Sequence, residues 1–247
     1  MKKILILIKS HDKRFADYHN SLYEELESIN FKHLSNQAQV DFYYIKGNST
    51  QDELVTIDQD GKNIWIKTKE NYSDGSAIKD KVLSSLDFLL NEQNKDYSHV
   101  FVVNLSTIVN TSMLMKEISQ VDDNECAAYL GMFIWNGEHY VFPSGAGYLM
   151  SINLAKRYLS HSKSIDHSTY PCHGDDVFLG LSLKRMGCKL KAMPRPEITQ
   201  PIIGNLSEHS KKVIKSHAHI RVKFTQNRNE EALLHKKIYE SIYDQES

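Results

Sequence analysis

HVFVVNLSTIVN, residues 99–110, begins as a strand and then breaks its own pattern. Val100, Phe101, Val102 and Val103 follow one another without polar alternation, as in a strand covered on both faces. Asn104, Leu105 and Ser106 end the run with an amide, a leucine and a hydroxyl. Doubly covered strands belong to α/β domains, in which ligands meet the carboxyl ends of the strands. The chemistry of residues 104–106 therefore bears on function as well as on fold.

The same signature opens the chain. Residues 4–8 read ILILI and stop at Lys9. The leading MKKILILIKS imitates a signal peptide, but its apolar run is too short for one and far too short to cross a bilayer. It reads as a first buried strand. A helix over about 15–29 follows, then a strand at 40–45 ending at Gly47. The alternating stretch 63–67 reads as an edge strand. Ile78, Val82, Leu83, Leu86, Leu89 and Leu90 keep the helical period, so about 76–91 is an amphipathic helix. A helix near 112–121 and strands near 127–133 and 139–142 come next. A helical segment at 230–243 carries Leu233, Leu234, Ile238 and Ile242 on related faces, suited equally to packing on the domain or to a dimer contact. The alternation predicts an α/β domain with a mostly parallel central sheet flanked by helices. Neither GxGxxG nor GxxxxGK[ST] occurs, so a dinucleotide site and a P-loop are unsupported.

With 247 residues, 40% hydrophobic and 25% charged, the chain can bury a core and reads as a single globular domain. A net charge of -1 favours neither nucleic acid nor a membrane surface as partner. Cys126, Cys172 and Cys188 are odd in number and widely spaced, which argues against structural zinc and against a disulfide framework. The reading is a cytoplasmic protein without a transmembrane segment.

Four stretches carry candidate chemistry. In CHGDDVFLGLSLKRMG, 172–187, Asp175 stands as an N-cap, Gly187 as the residue that closes the helix, and Lys184 and Arg185 fill the last turn. The plain reading is a capped helix. The chemical one is a carboxylate kept ionised at a helix mouth and able to act as a general base. In FPSGAGYLMS, 142–151, Ser144, Gly145, Ala146 and Gly147 form either a bulge or tight turn between strand and helix, or a floor where a ligand nears the backbone. In HAHIRVKF, 217–224, a strand would put His217, His219, Arg221 and Lys223 on one face, either solvated, facing phosphate oxygens, or with the two histidines ligating a metal, for which a lone HxH is weak evidence. Lys79 and Lys81 read first as solvated helix lysines. Tyr43, Tyr44 and Trp65 suit packing or stacking on a base or sugar.

Taken in order, these stretches resemble the inverting β-1,3-galactosyltransferase and Fringe-like glycosyltransferases of the GT-A fold. The resemblance runs over roughly residues 4–225. It rests on Lys9-Ser10 and Phe15, on Tyr72 followed by Lys81, Leu86 and Phe88, and on Asn104-Leu105-Ser106 where the family carries its acidic metal motif. It continues with Ser144-Gly145-Ala146-Gly147-Tyr148 and Ser151, and with Asp175-Asp176-Val177-Phe178-Leu179-Gly180. The arginine-rich segment usual after the first Phe is missing, with Asp17, Tyr18 and His19 in its place.

The resemblance implies a single GT-A domain with a Rossmann-like sheet. Residues 1–110 would be the nucleotide-sugar half, 111–225 the acceptor and catalytic half, and 226–247 a C-terminal helix. It implies transfer of a sugar from a nucleotide-diphosphate donor, a UDP-sugar, to a glycan or lipid-linked saccharide. Asp176 would be the base and Asp175 would orient the acceptor. Ser144, Gly145, Ala146 and Gly147 would meet the acceptor. Ser10, Lys79, Lys81, Asn104, Leu105, Ser106, His219, Arg221 and Lys223 would line the donor and its phosphates. Residues 104–106 offer no carboxylate, so Mn²⁺ or Mg²⁺ is either unused or held weakly through the donor phosphates, Ser106 or Asn104, and His219. Without metal, basic side chains must offset the leaving charge. The product would belong to surface polysaccharide or glycoconjugate synthesis, with peripheral membrane association one way to reach a lipid-linked acceptor. A non-catalytic nucleotide-sugar or glycan-binding module and a retaining transferase are the alternatives.

Overall fold

In the computed structural model the fold is built on the two runs read first. Residues 3–11, 20–68, 76–93, 95–135, 137–165, 174–202, 204–224 and 228–243 are described. The first half comprises β1 (Lys3–Lys9), α1 (Asn20–Leu34), β2 (Val40–Gly47), β3 (Val55–Ile57), β4 (Asn63–Ile66), α2 (Ser76–Asp87), β5 (Tyr97–Asn104) and β6 (Thr107–Val109). The second comprises α3 (Thr111–Ile118), β7 (Glu125–Trp135), β8 (Glu138–Ser151), α4 (Ile152–Ser164), α5 (Asp175–Arg185), β9 (Lys189–Ala192), β10 (Glu197–Ile198), α6 (Glu208–Lys215), β11 (His219–Val222) and α7 (Glu231–Tyr243).

Eight strands form the main sheet in the order β3-β4-β2-β1-β5-β8-β7-β9. The β4–β2–β1–β5 block is parallel, and β8 returns antiparallel against β5. β1 and β5 lie at its centre, which is why their sequences show no polar alternation. Leu5, Leu7, Val100 and Val102 join the core under α2, α4 and α5. Ile4, Ile6, Ile8, Phe101 and Val103 face α1 and α3. Each such side chain contributes about 1.5–3 kcal/mol of burial. A second sheet, β10-β11-β6, carries a third core with α7.

Three expectations change here. The stretch read as an edge strand, β4, is covered by β3, which adds a strand outside it. β8 is far longer than 139–142; Gly147 pairs with Val103 of β5, and Ser144 to Ala146 fall at the register shift of the β7–β8 ladder, so the stretch is a bulge within the strand and not a tight turn. Ser151 ends β8 and caps α4 through its hydroxyl, which accepts from the Leu154 amide at 3.1 Å. α7 packs on its own domain: Ile238 and Tyr239 are fully buried, and the Tyr243 hydroxyl donates to the Val109 carbonyl at 3.0 Å. No helix among the described residues is long and apolar enough to cross a membrane. Cys126 and Cys188 are free thiols, and Cys172 lies outside the described residues.

Candidate active site at the mouth of α5

Gly174, not Asp175, is the N-cap of α5, and the two aspartates occupy its first turn. The far end closes as read from the sequence. Gly187 adopts φ +68°, its amide donates to Lys184 and the Cys188 amide donates to Leu183, the paired bonds of a Schellman stop.

Displacing Asp175 from the cap frees its carboxylate to turn inward. Asp175 Oδ2 accepts from Lys9 Nζ at 2.8 Å and from the Tyr148 hydroxyl at 3.2 Å, and the residue is buried. Lys9 is the last residue of β1, so the ion pair ties the central strand to the mouth of α5. Asp176 is more open. Its Oδ2 accepts from the Gly145 amide at 3.1 Å and its Oδ1 from the Val177 amide at 2.8 Å. Burial and then the neighbouring Asp175 charge raise its pKa above the usual carboxylate value, while Lys9 and the two amides pull it back. A half-buried carboxylate of raised pKa, fixed by backbone donors, suits proton abstraction.

The small residues of β8 make this packing possible. A Cβ on Gly145 would lie 3.0 Å from Lys9 Nζ and 3.1 Å from Asp176 Oδ2. A Cβ on Gly147 would lie 2.7 Å from the His219 ring. Gly147 therefore makes room for a buried side chain and not for a ligand, contrary to the floor expected from the sequence. Ala146 is also buried, and its carbonyl accepts from the Thr107 hydroxyl at 2.7 Å. Ser144 is half-buried, and its hydroxyl accepts from Arg195 Nη1 at 2.9 Å.

At the ends of β1 and β2 the side chains are mostly tied to protein. The Ser10 hydroxyl donates to Glu27, and Lys46 Nζ reaches the same carboxylate at 2.8 Å. Lys46 also sits 5.8 and 5.6 Å from the Tyr44 and Trp65 ring centres. Lys79 and Lys81 are buried, not solvated. Lys81 Nζ donates to the Ser10 carbonyl at 2.9 Å, and Lys79 Nζ lies 5.1 Å from the Phe178 ring centre.

The end of β5 lies beside Lys9, in register with Asn104. Leu105 is buried as a core residue, whereas Asn104 and Ser106 are half-buried. Divalent cations of the Mg²⁺ and Mn²⁺ kind prefer several charged oxygens. Residues 104–106 supply no carboxylate, and no group of three His, Cys, Asp or Glu among the described residues is arranged to hold a metal. The donor set does not fit such an ion.

β11 pairs with β6 so that Arg221 stands opposite Thr107, while the Val222 amide donates to the Ser106 carbonyl at 2.9 Å. The face read as uniform is divided. His219 is fully buried, edge-on to Phe101 with ring centres 5.4 Å apart, and neither ring nitrogen has a hydrogen-bond partner among the described residues. Burial, then Arg195 and His217, push its pKa down to about 3. His219 is neutral and brings no positive charge to a phosphate. Arg221 is half-buried, pairing with Glu197 at 3.2 Å, and Lys223 is exposed.

No protein-family model matches the sequence, and no curated protein matches it. Solved structures do match. One is the galactosyltransferase LgtC in complex with donor and acceptor sugar analogs, at 11% identity and a TM-score of 0.52, over 98% of this chain and 96% of that one. Another is a glycosyltransferase involved in glycosylation of the major capsid of PBCV-1, at 9% identity and a TM-score of 0.50, over 95% of this chain and 99% of that one. The fold is shared with both. It is the GT-A arrangement, a large, mostly parallel sheet flanked by helices, matched over nearly the whole chain.

Sequence reading named Lys9 and Tyr148 only as motif residues, without a role, and passed over Arg195 and Glu197. Lys9 had a signal: a lysine directly ending a buried strand has nowhere to go but the ligand edge of the sheet. Arg195 had none, since it stands alone between two prolines. Phe15, Asp17, Tyr18, His19 and Tyr72 lie outside the described residues.

Proposed function

We propose that this protein is an inverting glycosyltransferase, moving a sugar from a nucleotide-diphosphate donor, a UDP-sugar, to a hydroxyl of a glycan or lipid-linked saccharide. The observation that carries the reading is the Asp175–Asp176 pair at the mouth of α5. One carboxylate is bound to Lys9 and Tyr148, and the other is half-open and held by two amides. The shared fold supports sugar transfer as the reaction class, and the order of motifs supports a β-1,3-galactosyltransferase-like enzyme of surface polysaccharide or glycoconjugate synthesis.

In the reaction the acceptor oxygen forms a bond to the anomeric carbon as the bond to the diphosphate breaks. The acceptor proton passes to Asp176, and the nucleoside diphosphate leaves from the opposite face, inverting that carbon. Asp175 does not move the proton. It holds Lys9 and Tyr148 in place and, as a neighbouring charge, raises the basicity of Asp176.

Nucleoside diphosphate release from a panel of nucleotide sugars, with EDTA or with Mn²⁺, tests the reading whatever the acceptor is. Release from one donor, unchanged by EDTA, is expected. Saturable donor binding, with no release and no transfer to a broad acceptor panel, would favour a non-catalytic nucleotide-sugar module. That second reading draws on the missing carboxylates at residues 104–106. Retention of anomeric configuration in the product would replace inversion with a retaining mechanism.

A further inference from the structure

Next to Gly145 in β8, Ser144 touches a second charged group that the base chemistry does not use. Arg195 lies between β9 and β10 with its side chain 3% exposed, and its guanidinium packs 4.6 Å from the centre of the Tyr129 ring. Nη1 donates to Ser144, and Nη2 pairs with Glu197 Oε2 at 3.3 Å. The other Glu197 oxygen takes Arg221 Nη1 at 3.2 Å. Lys223 stands two residues beyond Arg221. Burial, then Arg221 and Arg228, pull its pKa down. Glu231, whose charge acts on Lys223 more strongly than that of Glu197, is already engaged by Arg228 at 2.8 and 3.1 Å and by the Phe224 amide at 2.8 Å.

Among the described residues, then, Arg195 and Arg221 share Glu197, and Lys223 makes an ion pair with neither Glu197 nor Glu231 although both charges reach it. The Nε atoms of both arginines are buried without a hydrogen-bond partner among the described residues. Buried donors are ordinarily satisfied, and a cluster of cations with one counter-ion is electrostatically incomplete. The cluster is fixed on both sides. Arg221 is registered against Thr107 beside the turn at residues 104–106, and Arg195 is anchored to Ser144 beside the base.

We propose that Arg195, Arg221 and Lys223 form a diphosphate-binding site that takes the place of a metal, with Glu197 spacing the two guanidiniums. Planar guanidiniums match phosphoryl oxygens in pairs, and a diphosphate carries enough negative charge to complete the cluster. This rests on the sugar-transfer reading. The diphosphate of a nucleotide donor and that of a lipid-linked acceptor share the chemistry.

Calorimetric titration of the full chain with inorganic pyrophosphate and with UDP, both in EDTA, tests it. Wild-type protein is expected to bind pyrophosphate without metal. Arg195→Gln and Arg221→Gln should each weaken binding about tenfold or more. Lys223→Gln alters the most exposed of the three side chains and should weaken it with little change in the thermal melt. Glu197→Gln should tighten it by removing the competing carboxylate. Displacement of pyrophosphate by UDP assigns the site to the donor, and pyrophosphate binding that survives saturating UDP assigns it to an acceptor diphosphate. No pyrophosphate binding in EDTA, or binding unchanged in Lys223→Gln and in folded Arg221→Gln, overturns the proposal. Pyrophosphate binding that depends on these residues, in a protein that turns over no nucleotide sugar, would keep the site and sink sugar transfer instead.

Discussion

Lys9 Nζ stands 2.8 Å from Asp175 Oδ2, with both side chains withdrawn from water, 6% and 7% exposed. The bond joins residues 166 positions apart. Removing one partner of such a pair leaves a buried charge without compensation, at a cost of about 3–5 kcal/mol. Lys9→Met should lower the denaturant midpoint accordingly, and Lys9→Met with Asp175→Asn should recover much of the loss. A Lys9→Met protein as stable as wild type would show that the pair is not formed.

Asp176 must be ionised to act as a base, so activity should fall as pH drops through its raised pKa, nearer neutrality than for an ordinary carboxylate. Lys9 lowers that pKa, so Lys9→Gln should move the acid limb of the kcat/KM profile to higher pH. Asp176→Asn should reduce transfer about 10²–10⁴-fold with donor affinity retained. For stability the sign is the reverse of the common carboxylate case. The folded state holds this proton more tightly than the unfolded state. Asp176 therefore favours the fold below the unfolded carboxylate pKa, and that contribution is lost as pH rises through the folded one. Unfolding titrations of wild type and Asp176→Asn should differ in slope across this window.

Gly147→Ala would place a methyl group 2.7 Å from His219 Cδ2 and Nε2. The ring is fully buried against Phe101 and has little room to move, so overpacking should cost about 1–3 kcal/mol. Pairing the change with His219→Ala should recover part of the loss by making room for the methyl. A silent Gly147→Ala would mean that the strand and the ring are not in contact.

Acid should destabilise the protein through His219 and His235, both fully buried with pKa values pushed to about 3, chiefly by burial. A depressed pKa means that the unfolded state binds the proton first. The stability contributed by the neutral rings is present above the unfolded histidine value, near 6.5, and is lost progressively as pH falls toward about 3. His235→Phe should flatten this limb in pH-dependent thermal melts. An unchanged limb would show that His235 titrates normally.

The central strands were legible because both their faces are covered. Val100 to Val103 and Ile4 to Ile8 show it in composition alone, and Gly187 announces the end of α5 by the left-handed conformation it permits. The aspartate pair was legible as a feature at a helix mouth. Its division of labour was not. Which carboxylate faces Lys9 and which stays half-open depends on α5 starting at Gly174, one residue away from the cap the sequence proposes. Local capping preference is worth about 1 kcal/mol, less than the ion pair that pulls Asp175 inward, so the tertiary contact decides.

By itself the sequence determined the α/β class, the buried centre of the sheet, the edge at which chemistry would gather and the absence of carboxylates at residues 104–106. These are properties of neighbouring residues, where periodicity and residue type suffice. Only the tertiary structure decided that Lys79 and Lys81 are buried, that His219 is a neutral core residue, that α7 closes on its own domain, and that Arg195 meets Ser144 and Glu197 beside Arg221. A charge's environment is set by what the fold brings to it from elsewhere in the chain, and no local pattern encodes that.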